Sequence, residues 1–200
     1  MIDTIIFDFG DIFINLNKDA MKNAFHTLKL EEWNEDMRKL NISFEVGKIS
    51  ETEFLSGMQK HVPNASLDTI KENWNTILMD FPLYRLEFLQ LLSQKYRLFL
   101  LSNTDAIHIQ HFQETVGESF YSTFYQCFEK VYFSFELGMR KPDPEIYSYV
   151  LEQHNLSPKR TLFVDDKTEN TNSASKLGIQ VWNLQVGKED VVDLFDKKIL

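Results

Sequence analysis

The chain has 200 residues, 43% of them apolar, enough to bury the core of one domain together with an insertion. Its 21 basic against 30 acidic side chains leave a formal charge of −9, which argues against a phosphate-backbone binder: nucleic acid needs a basic surface. A single cysteine, Cys127, rules out an internal disulfide.

That lone thiol reads as a buried small hydrophobe in a reducing compartment. The opening Met1-Ile2-Asp3-Thr4 has neither the basic start nor the cleavage pattern of a signal peptide, and no apolar run approaches membrane-spanning length. A cytoplasmic protein without membrane or nucleic-acid partners is expected. The 17 phenylalanines predict an aromatic-rich core.

In chain order, Ile5-Ile6-Phe7 reads as a buried strand. From about Leu16 to Asp80 the pattern is helical throughout, with Met21, Phe25 and Leu28, then Trp74, Ile77 and Leu78, at helix spacing. Ser50 followed by Glu53 is a capping-box signature that opens a helix over 51–62. A helix over 83–94 precedes a second strand, Leu98 to Leu101, and another over 107–116 follows it. Strands are predicted at Val131-Tyr132-Phe133, Leu162-Phe163-Val164 and Ile179 to Trp182, with helices over 145–154 and 170–177 between them. Gly178 stands where a C-cap glycine would release the chain into the last strand. Alternating strands and helices specify an open, doubly wound α/β fold with a parallel sheet. Residues 1–15 and 83–200 would form its α/β core, and 16–82 a helical subdomain inserted after the first strand.

Ligands of such sheets bind beyond the carboxyl ends of the strands, so polar residues there are the ones to weigh. Asp8 emerges directly from the first strand, where a turn or cap aspartate is the plain alternative. Ser102-Asn103-Thr104 ends the second, and is equally ordinary helix-capping text. Lys141, in Arg140-Lys141-Pro142-Asp143-Pro144, follows the third, on a loop stiffened by two prolines. A solvated basic pair is the alternative reading there. Asp165-Asp166 ends the fourth: adjacent carboxylates at a buried strand end need a cation or a proton to be tolerated.

In this order (aspartate, serine, lysine, carboxylate pair) the motifs resemble the haloacid dehalogenase superfamily over essentially the whole chain. Phe7-Asp8-Phe9-Gly10 and Leu137-Gly138-Met139-Arg140-Lys141-Pro142 look like its sugar-phosphate phosphatase branch. The resemblance implies a magnesium-dependent phosphatase of small phosphate esters, with a Rossmann-like core and 16–82 as its cap. Asp8 would be the covalent nucleophile, since a carboxylate attacking phosphorus splits one hard step into two. Ser102, the Asn103 backbone and Lys141 would cradle the phosphoryl group. Asp8, the Gly10 carbonyl and the Asp165–Asp166 pair would hold the ion, one of the pair (Asp166 or Asp165) bonding it directly and the other orienting its water. Asn170 would support the metal or Lys141 from behind.

One position departs from the pattern. Most phosphatases of the superfamily carry an acid–base aspartate two residues after the nucleophile; here it is Gly10. General acid–base catalysis is worth roughly 10²–10⁴-fold, so Asp11, one residue further on, is the candidate replacement. A 2-haloacid dehalogenase and a non-catalytic binding protein are the rival readings. Trp33, Phe44, Trp74 and Asn75 are candidates to face the substrate, although aromatic residues at helix spacing are more often core.

Overall fold

Short runs of β-branched and aromatic residues pair side by side because both faces of the resulting sheet are covered. The computed structural model describes residues 1–197 and 199. Its strands β1 (Thr4–Phe7), β2 (Arg97–Ser102), β3 (Lys130–Phe133), β4 (Thr161–Asp165) and β5 (Gln180–Asn183) form one all-parallel sheet in the order β3-β2-β1-β4-β5. The α/β doubly wound fold expected from the sequence is the fold observed.

Successive strand side chains point to opposite faces, and the two faces have separate cores. Ile5, Phe7, Leu98, Leu100 and Val164 pack on one side, against α5 (Leu83–Ser93), α6 (Ala106–Val116) and α7 (Glu118–Gln126). Ile6, Phe99, Leu101 and Phe163 pack on the other, against α9 (Pro144–Gln153) and α10 (Thr168–Lys176). The first core is aromatic: Phe124 meets Phe13, Phe81, Phe112 and Phe128 edge-to-face at centroid distances of 5.1–6.0 Å. A short helix, α8 (Ser134–Leu137), follows β3. Gly178, at φ +83°, takes the left-handed turn between α10 and β5 that a side chain would strain.

Between β1 and α5 lies the inserted helical subdomain, α1 (Lys18–Thr27), α2 (Glu35–Glu45), α3 (Glu51–Gln59) and α4 (Leu67–Asn75). Side chains of Asn17, Asn34, Ser50 and Ser66 cap these four helices, Ser50 with Glu53 in a full capping box. The subdomain has its own apolar cluster, including Phe25, Met37, Phe54, Met58, Ile70 and Trp74, with Ile107 of α6 reaching into it. Its two connections to the sheet run antiparallel to each other: Asn15 and Asp80 bond through N–H and O at 3.0 Å, and Leu16 bridges Leu78.

Three details differ from the sequence reading. Helix α3 stops at Gln59 rather than Val62, because Val62 precedes Pro63 and that position disfavours helical backbone. The sequence reading assigned no element to residues 118–126, where α7 forms; Gly117 at φ +80° separates it from α6. Asp165, read as lying beyond its strand, is the last residue of β4. Among the described residues no helix is long and apolar enough to cross a membrane.

Arg85 ties the connection to the sheet domain. Its guanidinium donates to the Phe13 carbonyl at 3.0 Å, to Asn15 Oδ1 at 2.9 Å and to Asp190 at 2.7 Å. Arg85 is nearly buried while Asp190 keeps about a quarter of its side chain exposed, so Arg85→Leu should cost roughly 2–3 kcal/mol, between the surface and buried ion-pair ranges. Urea unfolding measures this; a loss below about 1 kcal/mol would place the linkage in the surface class.

Candidate active site

The register of the sheet brings the acidic groups together. Phe7 is level with Val164 of β4 and with Leu100 of β2, so the next residue, Asp8, emerges beside Asp165 and one step before Ser102. The Asp8 amide donates to the Val164 carbonyl at 2.9 Å, which fixes that placement. One carboxylate oxygen from each of Asp8, Asp165 and Asp166 lies within 4.8 Å of the others.

Lys141 is placed between two of them. Its Nζ is 2.7 Å from Asp8 Oδ1 and 2.7 Å from Asp165 Oδ2, and its side chain is only 1% exposed. The ammonium also lies 5.4 Å from the centre of the Phe163 ring. The main chain of Lys141 is gripped by Asn103, whose amide donates to its carbonyl at 2.8 Å and accepts from its N–H at 2.9 Å. The Asn103 side chain is thus spent on the loop, and its backbone N–H is what remains for a ligand. Ser134 Oγ closes the same loop cluster, accepting from the Thr104 amide and donating to its carbonyl, each at 3.1 Å.

The adjacent carboxylates have different surroundings. Both oxygens of Asp165 are taken: Oδ1 by the Lys167 amide at 2.8 Å, Oδ2 by Lys141, and each by Asn170 Nδ2 at 2.9–3.0 Å. Asp166 faces the cavity, and no group among the described residues donates to its carboxylate. Asn170 therefore serves Asp165 rather than Lys141, while its own Oδ1 is buried with no partner. The buried Tyr147 hydroxyl donates to the Asn170 carbonyl at 3.0 Å.

Electrostatics follow from this crowding. Burial, opposed by Lys141 and reinforced by Asp165 and Asp166, pushes the Asp8 carboxyl up to about 6. Burial and the neighbouring Asp165 raise Asp166 as well. Lys141 stays charged: burial works against its ammonium, but Asp165 and Asp8 outweigh it and raise its pKa. Three acids thus face one buried cation.

The residues after Asp8 carry less than expected. Gly10 does not adopt a left-handed backbone, and its carbonyl accepts no hydrogen bond among the described residues. Asp11 does turn left-handed, at φ +57°. Its Oδ1 accepts from the Leu16 amide at 3.0 Å, and Oδ2 is 3.7 Å from Lys18 Nζ.

A cavity of about 370 Å³ opens above the strand ends, a volume that suits a small metabolite. Asp8, Ser102, Asn103, Lys141, Asp166 and Asn170 form its floor, and Lys18, Met21, Trp33, Asn41, Glu45 and Trp74 line it from the helical subdomain. Neither Asp11 nor Asp165 borders it. Of the four candidate substrate-facing residues Trp33 and Trp74 do; Phe44 stacks on Phe54 inside the subdomain, and Asn75 is buried off the cavity.

A model of the haloacid dehalogenase-like hydrolases matches residues 5–184. The chain belongs to that family. It is 27% identical to the D-ribitol-5-phosphate phosphatase of Bacteroides thetaiotaomicron over 94% of this chain and 95% of that one. A solved haloacid dehalogenase family enzyme of the same organism superposes with a TM-score of 0.89 at 33% identity, covering 98% of this chain and 99% of the other. An aspartate-to-alanine variant of that enzyme, solved in complex with magnesium and inorganic phosphate, matches with a TM-score of 0.89 at 32% identity over 98% and 100% of the two chains.

In this haloacid dehalogenase-like hydrolase the oxygen-only donor set suits a hard divalent cation. Among the described residues Asp166 and the Gly10 carbonyl are free, Asp8 has its second oxygen free, and the orphaned Asn170 Oδ1 offers an acceptor for a hydrating water. Sequence reading missed Tyr147, Ser134, Asp105 and His108; only Asp105, directly after Ser102-Asn103-Thr104, had a signal that pointed toward the site. A cation relieving the carboxylate crowding stabilises the fold, by about 2.7 kcal/mol at a hundred times its Kd. Magnesium should therefore raise the melting temperature of the wild type and do so far less in Asp166→Ala; equal shifts in calorimetry would remove Asp166 from the ion's donors.

Proposed function

We propose that this hydrolase is a magnesium-dependent phosphomonoester hydrolase acting through an aspartyl-phosphate on Asp8, with a small sugar or polyol phosphate as substrate. The observation that carries the reading is the buried Lys141 ammonium shared by Asp8 and Asp165, with an unpaired Asp166 beside it on the cavity floor. Residues 1–15 and 83–200 are the catalytic core, and 16–82 the cap that encloses the leaving group.

Phosphoryl transfer needs an in-line nucleophile and positive charge around the transferring oxygens. Asp8 attacks phosphorus, the ester oxygen departs, and water then hydrolyses the aspartyl-phosphate. Lys141, the Ser102 hydroxyl and the Asn103 amide hold the phosphoryl oxygens in place. Asp166, the free oxygen of Asp8 and the Gly10 carbonyl would hold the magnesium ion, which supplies charge neutralisation and draws the Asp8 pKa back down. Asp165 acts one step removed, aiming Lys141, because its own oxygens are already committed.

The substrate class is supported by the cavity's size, by the cap's Asn41 and Glu45 side chains as hydroxyl partners, and by the activity of the D-ribitol-5-phosphate phosphatase relative. A 2-haloacid dehalogenase also uses an aspartate nucleophile, but it needs no divalent cation; the three crowded carboxylates favour the phosphatase. In a magnesium-supplemented screen, sugar and polyol phosphates, D-ribitol 5-phosphate among them, should be hydrolysed. Asp8→Asn should fold normally and lose at least about 10³-fold in turnover. Halide release from haloacids without phosphate release, or comparable turnover by Asp8→Asn, would overturn the assignment.

With no side chain at Gly10 and Asp11 engaged by Leu16 and Lys18, solvent supplies the proton to the departing oxygen. A Cβ at Gly10 would stand 2.8 Å from Leu16 Cδ1, the flexible end of a side chain. Gly10→Asp should thus cost only about 1 kcal/mol of overpacking, while raising turnover of sugar phosphates relative to p-nitrophenyl phosphate, whose leaving group needs little protonation. An unchanged ratio of the two rates would show that proton transfer is not limiting.

A further inference from the structure

Three rings stack where the helical subdomain meets the sheet domain. Trp33 lies over Trp74 at 6.0 Å and 17°, and Trp74 over His108 at 5.3 Å and 2°. Trp74 belongs to α4, whereas His108 lies in the first turn of α6, the helix that Asp105 caps through the His108 amide at 2.9 Å. Polar contacts cross the same junction. Trp74 Nε1 donates to Asp105 Oδ2 at 3.0 Å, His108 Nδ1 is 3.1 Å from that oxygen, and His108 Nε2 is 3.2 Å from the Trp74 carbonyl oxygen.

Each ring nitrogen of His108 therefore faces an oxygen that carries no proton. A neutral imidazole has one N–H and one lone pair, and whichever nitrogen held the lone pair would confront an acceptor in a nearly closed place. Only the imidazolium satisfies both. The surrounding charges agree: Asp105 is the nearest carboxylate, Glu45 of α2 adds negative potential although paired with Arg140, and His111 is a titratable neighbour on the same helix. Burial disfavours the charge, but Asp105 and the Trp74 carbonyl outweigh it and raise the His108 pKa; the same partnership holds Asp105 below the usual carboxylate range.

We propose that His108, as an imidazolium, is a positioning residue that fastens α4 to the start of α6 and so holds the Trp74 wall of the cavity in place over the phosphoryl site. Both His108 and Trp74 line that cavity. The proposal rests on the phosphatase reading for its kinetic consequence, not for the latch itself. A group whose pKa is raised on folding contributes fully below its unfolded value, about 6.5, and the contribution fades as pH rises through the folded value. The latch is closed below about pH 6.5 and loosens as pH rises through the folded value, so KM should rise with it.

Asp105→Asn separates this from a merely structural role. Asparagine keeps the N-cap through its one carbonyl oxygen but places an NH2 where Oδ2 accepted from Trp74 and faced His108 Nδ1; it removes the charge that holds the proton on His108, and the lost Trp74 bond is the same at every pH. In the wild type, nitrogen-15 shifts of the His108 ring should show both nitrogens protonated below about pH 6.5, and KM for p-nitrophenyl phosphate should rise about tenfold as the ring titrates above it, equivalent to about 1.4 kcal/mol. In Asp105→Asn the titration and the rise in KM should move together to lower pH. His108→Gln should have the raised KM at every pH, with kcat changed less than KM. A ring already neutral below about pH 6.5, or a rise in KM that stays put in Asp105→Asn, overturns the proposal. If no phosphate ester is turned over, the phosphatase reading falls, and amide exchange across residues 67–75 still decides the latch: protection that is the same below and above the ring's titration rejects it.

Discussion

An ammonium group held between two buried carboxylates is the interaction on which the rest of this molecule is arranged. Lys141 reaches Asp8 and Asp165 from a loop beyond β3, so residues from three separate strand ends meet at one nitrogen. Such a group is tolerable inside a protein only when every partner is fixed and every polar atom is satisfied. The surrounding hydrogen bonds fix the partners, leaving only Asn170 Oδ1 and the cation-facing oxygens without a donor among the described residues. Asn103 fixes the Lys141 main chain, Asn170 and the Lys167 amide fix Asp165, and Tyr147 fixes the Asn170 carbonyl. Asn103, Lys167 and Asn170 border the cavity themselves, and Tyr147 supports them from behind it.

The same network divides the labour between the adjacent acids. Asp165 is saturated by donors and Asp166 by none, so neighbouring residues of identical chemistry have opposite capacities for a ligand. The charge left over at Asp166 and on the second oxygen of Asp8 is what makes a divalent cation welcome. Near Gly10 the chain follows a different logic. Leu16 fills the space that a side chain would enter, and Asp11, one residue on, is turned left-handed onto the Leu16 amide and Lys18. The chain thereby keeps a backbone carbonyl at the site and gives up a carboxyl there.

The helical subdomain meets this floor with a core of its own, joined to the sheet domain by the paired segments around Leu16 and Leu78 and by the contacts of α4 with α6. Arg85 braces the first of these junctions through Phe13 and Asn15, close to the turn that follows Asp8. The wall that faces the strand-end acids is thus attached to the sheet domain at both of these junctions.

The strands and their order of occurrence were legible in the sequence, because runs such as Leu98 to Leu101 have nowhere to go but a buried sheet, and an aspartate after such a run must emerge at its edge. Asp8, Ser102, Lys141 and the Asp165–Asp166 pair were legible for that reason, and Gly178 for its backbone. Helix α7 was not, since its aromatic residues are explained only by the Phe13 and Phe81 rings they pack against from elsewhere in the chain. Nor was the inequality of Asp165 and Asp166, which depends on how far Asn170 and Lys141 reach across the fold. His108 has no sequence signal at all: its meaning arises from Trp74, thirty-four positions earlier, brought alongside by the packing of α4 on α6. The sequence by itself determined which groups stand at the strand ends, because burial is written in local apolar pattern. Which of them are free to act was decided by the tertiary structure, because the partners that occupy a carboxylate or a ring nitrogen come from distant segments.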